Sequence, residues 1–519
     1  MSFFKHGLII SALLWISCYP VLFEKQNQVV SHDLSIQPPT DSVLSGRQLA
    51  AQYCSSCHLF PEPAMLDKKT WVNSVLPNMG FRLGINQTGK NLFEDLSKEE
   101  EKLVRELNIY PRTSAISKKD WKKIVKYYQQ EAPEKPLPQK EKTQVTPELF
   151  LFTTHEIFLG DKTFPQTTLL KYDKSSSQLY IADARNILYV LGKDLRLKET
   201  LSVQGAATDI DFPTNAPPRV LTIGSLKPSE LKTGSLISLQ KTPENTDIQN
   251  LPRPVQFTPI DLTQDGKEDV IISGFGNHTG KLFWLDGFDV NKEHVLKAFP
   301  GARKVEISDF NQDGKPDIMA LMAQAKEEIS IFYNLGDGKF EEKTLLQFPP
   351  LFGAIYFELA DFNKDGFQDI ILTNGDNWDY SPIRKYYHGV RIYLNDGKNN
   401  FNETWFYPLY GASKAVARDF DKDGDIDIAA TSFYTELDDA EQNFIYLSNE
   451  GNLDFKAFST PQGSMGKWLT MEAADVDNDG DTDIILGSYF HNVSELTPLM
   501  FQGITTYPNI IILKNQSRR

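Results

Sequence analysis

One acidic motif occurs five times in the second half of the chain, and it constrains the fold more than any other feature. The copies follow the template D-x-[D/N/T]-x-D-G-x-x-D with an apolar run behind it, and they start at Asp261, Asp309, Asp361, Asp419 and Asp475. Successive starts are 48, 52, 58 and 56 residues apart. Repeats of about fifty residues are typical of propellers and solenoids, in which like units pack against one another. The sequence therefore predicts an array of similar β-rich units.

The spacing within each copy indicates a cation site. Oxygen-bearing side chains at positions 1, 3, 5 and 9 converge if the glycine at position 6 lets the chain turn sharply. Several carboxylates this close do not stay ionised together unless a cation neutralises them. An all-oxygen ligand set favours Ca²⁺ over zinc or copper. An EF-hand is excluded because position 12, which would have to be Glu, is Ile, Ala or Leu in every copy. Acidic hairpin turns without metal are a poor explanation for five copies in register.

The motif resembles the FG-GAP/VCBS-type repeats of extracellular propellers, in which each loop holds one Ca²⁺ between the first two strands of a blade. The resemblance implies up to five Ca²⁺ ions. It assigns their ligands to motif positions 1, 3, 5 and 9, which are Asp261, Asp265 and Asp269; Asp309, Asn311, Asp313 and Asp317; Asp361, Asn363, Asp365 and Asp369; Asp419, Asp421, Asp423 and Asp427; and Asp475, Asp477, Asp479 and Asp483. Position 3 of the first copy is Thr263, so we expect that site to bind Ca²⁺ most weakly.

Two further units upstream complete the array. A segment that keeps the template but has lost most of its acids starts at Asp211, 50 residues before Asp261. A β-rich unit around Asp173 lies 38 residues earlier still. Seven units over residues 148–519 predict a seven-bladed, all-β propeller with four strands per blade, with six or eight blades as alternatives. The last unit lacks an outer strand, and residues 148–159 are the candidate to supply it and close the ring.

Cys54-Ser55-Ser56-Cys57-His58 is the second strong motif. Two thiols three residues apart can add across the two vinyl groups of one haem, and the following histidine is placed to bind its iron. A thioredoxin-like dithiol needs a βαβ context that is missing here, and half of a zinc site needs a second Cys pair. Cys18 is the third and last cysteine, so a disulfide scaffold is excluded. The motif predicts one covalent haem c attached to Cys54 and Cys57, with His58 as an iron ligand.

Residues 44–131 carry the pattern of a small all-α domain around this motif. A short helix enters at Ser45-Gly46, and another starts after Ser117 with apolar residues at i, i+3, i+4 and i+7 from Trp121. Two such helices crossing beside a haem resemble a mono-haem cytochrome c domain.

The resemblance implies a methionine as the sixth iron ligand, and two methionines lie in this region. We favour Met79, in a segment interpreted as a loop bounded by Pro77 and Gly80, over Met65, which follows His58 too closely to reach the opposite face. Ligation by His and Met raises the reduction potential and favours electron transfer over oxygen chemistry.

The N-terminus predicts export. Residues 1–23 have a short positive start and an apolar run with the length of a signal-peptide core. The residues up to Cys18 resemble a bacterial lipobox, so Cys18 is a candidate for lipidation and membrane attachment; signal-peptidase cleavage and an uncleaved anchor stay open because Trp15 stands where Leu is usual. Residues 24–43 are interpreted as a flexible tether, and 132–147, with four Pro, as a semi-rigid linker. We expect a periplasmic or cell-envelope location.

The charge balance excludes a general nucleic-acid binder. Lys and Arg number 54 against 69 Asp and Glu, a net charge of −15, whereas affinity for nucleic acid depends on neutralising phosphates. Full calcium occupancy would offset most of this acidic surplus. The surplus is therefore interpreted as metal ligand and not as a sign of a basic partner.

As a whole, the chain resembles bacterial FG-GAP/VCBS-repeat proteins with an N-terminal mono-haem cytochrome c domain. We expect an exported electron-transfer protein whose Ca²⁺-stabilised propeller is a binding scaffold, and we favour a carrier over an enzyme. The electron donor and acceptor, protein or small molecule, are not specified by the sequence. The alternative is an oxidoreductase that passes electrons from a substrate in the propeller to the haem, but neither the Trp-docking repeat of quinoprotein propellers nor an acid–base constellation supports it.

The loops between second and third strands are the candidate binding face of the propeller. They are long and rich in aromatic and charged residues, as ligand-contacting loops on a rigid scaffold often are. Their histidines, His278, His388 and His491, satisfy no metal-ligand spacing and are interpreted as ordinary surface residues.

Overall fold

The structure is a computed structural model. It describes residues 41–85, 92–94, 96–160, 164–240, 247–324, 326–376, 383–434, 442–501 and 503–517. The predicted signal, the candidate lipidation residue Cys18 and most of the predicted tether lie outside these ranges. Among the helices in these ranges, none combines the length and the apolar character needed to cross a membrane.

Seven four-stranded antiparallel sheets make up a seven-bladed β-propeller. Blades 1 to 3 consist of β2 (Thr167–Asp173), β3 (Gln178–Asp183), β4 (Ile187–Leu191) and β5 (Leu197–Ser202); β6 (Ala207–Asp211), β7 (Arg219–Thr222), β8 (Gly234–Ser238) and β9 (Ile248–Leu251); and β10 (Pro254–Ile260), β11 (Asp269–Gly274), β12 (Lys281–Leu285) and β13 (Glu293–Lys297). Blades 4 and 5 consist of β14 (Ala302–Ser308), β15 (Asp317–Met322), β16 (Glu327–Gly336) and β17 (Lys339–Phe348); and β18 (Ala354–Ala360), β19 (Asp369–Asn374), β20 (Gly389–Asn395) and β21 (Phe401–Pro408). Blades 6 and 7 consist of β22 (Ala412–Arg418), β23 (Asp427–Ser432), β24 (Phe444–Asn449) and β25 (Phe455–Phe458); and β26 (Trp468–Ala474), β27 (Asp483–Ser488), β28 (Ile510–Asn515) and β1 (Phe152–Ile157). The predicted blade count of seven is confirmed, and six and eight are excluded.

The ring closes through the two ends of the propeller. Strand β1 pairs antiparallel with β28, from Phe152 opposite Asn515 to Ile157 opposite Ile510. The outer strand of the last blade therefore comes from the start of the domain, as predicted. This pairing leaves no unpaired edge on β28, because its other edge is bonded to β27.

The core lies between neighbouring blades. Between blades 3 and 4, for example, Ile271 and Trp284 pack with Ile318 and Phe332 in one buried cluster. The second strands that follow the five acidic loops are buried from end to end. Both faces of each sheet are covered by adjacent sheets, which is why these strands read as continuous apolar runs. Each buried Ile or Trp contributes roughly 1.5–3 kcal/mol through the hydrophobic effect.

The N-terminal region contains helices α1 (Gly46–Cys54), α2 (Lys68–Thr70), α3 (Leu76–Arg82), α4 (Lys98–Glu106) and α5 (Lys118–Glu131), with a π-helical turn (Trp71–Val75) between α2 and α3. The two predicted helices are confirmed. Ser45 and Ser117 cap them, each accepting a backbone N–H three residues on, at 3.3 and 3.1 Å. Helix α1 crosses α5 closely at Gly46, where an added Cβ would lie 2.3 Å from the carbonyl oxygen of Lys123.

The segment around Met79 is helical, so the prediction of a loop there was wrong. Helical backbone runs from the π-helical turn straight into α3, and Pro77 follows Leu76, whose N–H bonds the Trp71 carbonyl five residues back. Pro77 thus lies beside a widened turn within a continuous helical segment. Gly80 lies against the indole of Trp121, and an added Cβ would be 3.1 Å from that ring. Pro and Gly, which indicated a loop in the sequence, lie here beside a π-helical turn and at a close helix contact.

The helical region lies on the propeller face formed by the loops between second and third strands. Glu100 of α4 accepts hydrogen bonds from the Ser229 hydroxyl at 2.6 Å and from the Glu230 N–H at 3.2 Å, both in the β7–β8 loop. The predicted linker is ordered against blades 5 and 6. The Gln139 side-chain amide donates to the His388 carbonyl at 2.8 Å, and Thr146 pairs with the outer strand of blade 6.

Candidate haem segment, calcium loops and family comparison

The Cys-x-x-Cys-His segment lies at the end of α1 and in the turn after it. Cys54 is the last residue of the helix and is half-buried, whereas Cys57 is exposed; both carry free thiols. Burial raises the pKa of the Cys54 thiol to about 11, so it stays protonated at neutral pH. One short turn thus presents two sulfurs, one of them open to modification from solvent.

His58 has one ring nitrogen engaged and the other available. Its Nδ1 lies 2.8 Å from the backbone oxygen of Leu59. Because a carbonyl oxygen only accepts, Nδ1 carries the proton of this hydrogen bond and the lone pair is on Nε2. Burial, assisted by the positive charge of Arg82, lowers the pKa of His58 and favours the neutral ring. A neutral imidazole held through Nδ1 is the form in which histidine binds a metal through Nε2.

The two candidate methionines lie in different surroundings. Met65 is buried, with 7% of its surface exposed, and belongs to the apolar cluster of the helical region. Met79, on α3, is half-buried and packs against the same cluster, as Cys54 does. Met79 therefore stays the candidate sixth ligand. Two thiols, a neutral imidazole and a thioether beside an apolar cluster are a donor set that fits a c-type haem.

The five acidic loops share one backbone conformation, and each joins the first strand of a blade to the second, as predicted. In every loop φ is between 59° and 65° at position 4 and between 84° and 93° at the glycine of position 6. The aspartate at position 1 accepts backbone N–H groups from the turn. In the last loop Asp475 accepts those of Asp479 and Gly480 at 3.1 and 3.0 Å. The chain therefore curls around the first carboxylate.

Position 9 is a buried aspartate at the start of the second strand. One of its oxygens accepts the N–H of position 2. The other accepts an N–H from the third strand in blades 4 to 7, and in blade 3 it accepts that of Gly287, in the turn after the third strand. In blade 7 these donors are Val476 and Asn515, at 2.9 and 2.8 Å from Asp483. Burial raises the pKa of Asp483 to about 6, and that of Asp427 also to about 6. Position 9 thus joins the loop to two strands in addition to any role as a ligand.

The donor on the third strand is an asparagine in four blades, and the sequence reasoning missed it. These residues are Asn334, Asn395, Asn449 and Asn515. In two blades the asparagine amide also donates to the preceding acidic loop, from Asn334 to the Leu262 carbonyl at 2.9 Å and from Asn515 to the Phe420 carbonyl at 2.7 Å. The asparagine recurs after an apolar run in four of the five repeats, so comparing the repeats with one another would have revealed it.

Carboxylates converge most closely in the last two loops. Within the part of the chain that the structure describes, two groups of three have ligand atoms within 4.8 Å of one another: Asp419, Asp421 and Asp423, and Asp475, Asp477 and Asp483. In each group one buried oxygen, Oδ1 of Asp419 or of Asp477, has no hydrogen-bond partner. A buried carboxylate oxygen without a donor is costly, and a cation between the carboxylates would remove that cost. These two loops therefore fit a Ca²⁺ ion.

Blade 2 has a basic side chain where the other loops have position 9. Arg219 stands there, and its Nε donates to the two carboxylate oxygens of Asp211, at position 1, over 2.9 and 3.0 Å. The same guanidinium donates to Glu268 of blade 3 at 3.0 Å. An arginine therefore neutralises the acid at position 1 from within the chain. Aligning the Asp211 segment with the acidic template places Arg219 at position 9, a signal that the sequence reasoning overlooked.

The three histidines of the opposite face have separate surroundings. The His278 ring lies 6.1 Å from the Tyr110 ring of the helical region. His491 Nδ1 is 3.1 Å from a carboxylate oxygen of Glu495. His388 is 1% exposed, so its interpretation as a surface residue was wrong. The linker bonds its carbonyl oxygen through the side-chain amide of Gln139.

Comparisons with known proteins agree with this architecture. The family model described as FG-GAP-like repeat matches residues 261–320, 309–372 and 419–486, which include all five acidic loops. The chain therefore carries FG-GAP-like repeats in a seven-bladed propeller. No curated protein matches the chain significantly.

Among solved structures, the N-terminal domain of Nup159 is 12% identical over 72% of this chain and 98% of its own, with a TM-score of 0.41. The Pan2 WD40 domain of Neurospora crassa is 10% identical over 67% of this chain and 88% of its own, with a TM-score of 0.39. Sqt1 of Saccharomyces cerevisiae is 9% identical over 70% of this chain and 99% of its own, with a TM-score of 0.42. No functional conclusion follows from likenesses this distant.

Proposed function

We propose that this protein is an exported one-electron carrier, with one covalent haem c on its helical region and a Ca²⁺-stabilised propeller as binding scaffold. The observation that carries the proposal is the state of the Cys-x-x-Cys-His segment. Both thiols are free, and the Nδ1 of His58 is fixed by the Leu59 carbonyl, which leaves Nε2 available for a metal. When bound, haem c supplies reversible one-electron chemistry at its iron.

The helical region has a residue for each task that holding such a group requires. Cys54 and Cys57 would form the two thioether links, and His58 and Met79 would hold the iron from its two sides. The apolar cluster that contacts Cys54 and Met79 would exclude water from the site. A dry, apolar surrounding with a thioether ligand favours the reduced, less charged state and so suits an electron carrier.

The acidic loops would bind up to five Ca²⁺ ions and hold the blades together. Support comes from the converging carboxylates of the last two loops and from the unpartnered oxygens of Asp419 and Asp477. Each ion would join the first and second strands of a blade, next to the position-9 aspartate that already reaches the third. The propeller would then present a rigid surface to a redox partner at the cell envelope, with attachment through a lipidated Cys18.

The proposal is tested by expressing the full chain with a working cytochrome-maturation apparatus. The purified protein should give the absorbance of a pyridine haemochrome of c type, and one haem per chain should be reduced and reoxidised reversibly. The matched control carries Cys54→Ser with Cys57→Ser and should be colourless. A colourless wild-type protein, or covalent haem in the control, would contradict the proposal.

A second candidate function, an oxidoreductase, is favoured by one pocket of about 450 Å³ on the acidic-loop face. Its lining includes Lys171, Asp209 and Gln256 from the first strands of blades 1 to 3. Burial raises the pKa of Asp209 to about 6, so its carboxylate could accept a proton near neutral pH. The propeller separates this pocket from the haem segment, which favours the carrier. Rapid reduction of the haem by a sugar or an alcohol, abolished by Asp209→Asn, would favour the enzyme instead.

A further inference from the structure

One loop of the propeller meets the helical region near the haem segment. It is the loop between β11 and β12 of blade 3, and its His278 ring lies edge-on to the Tyr110 ring, at 6.1 Å and 87°. Arg82 also lies against Tyr110, with its guanidinium carbon 5.8 Å from the centre of the phenol ring. His278 of the propeller and Arg82 of α3 thus both lie against the ring of Tyr110.

The loop that carries His278 is held rigidly. The carboxylate of Glu230, which is 1% exposed, accepts the backbone N–H groups of His278 and Thr279 at 3.1 Å each. From below, the buried guanidinium of Arg253 donates to the Gly276 carbonyl at 2.6 Å. The helical region also positions Glu230, because the backbone N–H of Glu230 donates to the carboxylate of Glu100 on α4. A loop braced on both sides can fix the position of what it contacts.

Arg82 is close to Met79, one of the two proposed iron ligands. It is the last residue of α3 and lies one turn after Met79, on the same face of that helix. A guanidinium is charged at all relevant pH values, so it is a fixed positive charge at this place.

We propose that Arg82 tunes the reduction potential of the haem, and that His278 is the positioning residue through which the propeller holds Arg82 in place. This inference rests on the proposed function, because it needs the haem. The oxidised iron carries one positive charge more than the reduced iron, so a nearby cation disfavours the oxidised state and raises the potential. The propeller would thereby control the haem without contacting it.

The test is a spectroelectrochemical titration of the full-length protein with its haem attached. Arg82→Gln should shift the midpoint potential downward, and His278→Ala should shift it in the same direction by a smaller amount. Arg82→Lys keeps the charge and should stay closer to the wild type than Arg82→Gln does. The matched control is Arg105→Gln, which removes an arginine of α4 that lies over the Phe93 ring at 4.1 Å and is paired with Glu101.

The outcomes separate this inference from the proposal beneath it. A purely structural role for Arg82 would not make the shift shrink in high salt, whereas screening of a charge effect would. If haem is attached and Arg82→Gln has the wild-type potential, the inference is overturned and the carrier proposal stands. If Arg82→Gln does not fold, an unchanged potential in His278→Ala overturns the part played by the propeller. If the wild type attaches no haem, both fail, and the haemochrome assay shows it first.

Discussion

Blade 2 and the five blades that follow it differ in the charge at position 9 of the loop between the first and second strands. In blades 3 to 7 the first-to-second strand loop gathers carboxylates and has aspartate at position 9. In blade 2 position 9 is Arg219, which pairs with Asp211 at position 1. In blade 2 the positive charge beside position 1 is therefore a side chain, and under the proposed function an ion from solution would take its place in the other five. Calcium dependence should therefore be confined to blades 3 to 7.

Removing calcium is the change with the largest expected effect, because up to five sites are emptied together. A ligand at a hundred times its dissociation constant stabilises the folded state by about 2.7 kcal/mol for each independent site. A chelator should therefore lower the melting temperature of the propeller, and excess Ca²⁺ should restore it while Mg²⁺ restores less. The same melting temperature with and without chelator would remove the distinction between the two kinds of blade.

Replacing the internal cation should cost stability in a way that calcium does not alter. Arg219→Ala leaves the half-buried carboxylate of Asp211 without its partner, so we expect a loss of about 2 kcal/mol in the free energy of unfolding. Denaturant titrations should give the same loss in calcium and in chelator. Arg196→Ala, at an exposed arginine 3.9 Å from Asp194, is the control and should have little effect. A loss that vanishes in calcium would show that an ion also serves blade 2.

Asp419→Asn should lower the free energy of unfolding only when calcium is present, in contrast to Arg219→Ala. The aspartate accepts the Gly424 N–H with one oxygen, and its other oxygen is unpartnered. Asparagine can keep that hydrogen bond, so stability in chelator should change little. In calcium the variant lacks one charged ligand and should lose about 1–2 kcal/mol of the stabilisation that the ion provides. Equal losses under both conditions would mean that Asp419 has a structural role only.

Thr263→Asp should produce the smallest change, and a gain. It supplies the carboxylate that position 3 of the first acidic loop lacks, and the loop already has the glycine turn of the others. Calorimetric titration should show one site that binds Ca²⁺ more tightly than in the wild type, with the rest unchanged. Unaltered binding would indicate that the Asp261 loop is not a calcium site.

The fold of the propeller could be predicted almost completely because the acidic motif occurs once per blade in five of the seven blades. Blade count, the position of the acidic loops and closure by residues 148–159 all follow from a period and a template. The residues that the template did not predict lie outside its nine positions or in the Asp211 segment, the copy that has lost most of its acids. The third-strand asparagines, such as Asn515, and the basic residue Arg219 act through contacts between strands that a single copy does not reveal.

The helical region could be predicted only in part, because each of its signals occurs once. Ser45 and Ser117 gave correct helix starts, since capping is a local interaction. Pro77 and Gly80 led to a wrong prediction, because whether they break a helix depends on the π-helical turn before Pro77 and on the contact of Gly80 with Trp121. The packing of Tyr110 against His278 joins residues far apart in the sequence, and no local pattern indicates it. The haem itself remains a prediction from the Cys-x-x-Cys-His motif.

The central claim is most directly tested by the mass of the chain segment that contains Cys54, Cys57 and His58. The full-length protein would be produced with the cytochrome-maturation apparatus, digested with a protease and analysed by mass spectrometry. We predict one fragment carrying both cysteines whose mass is increased by that of a single haem, with neither thiol open to alkylation. A fragment with its unmodified mass and two alkylated cysteines would contradict the account.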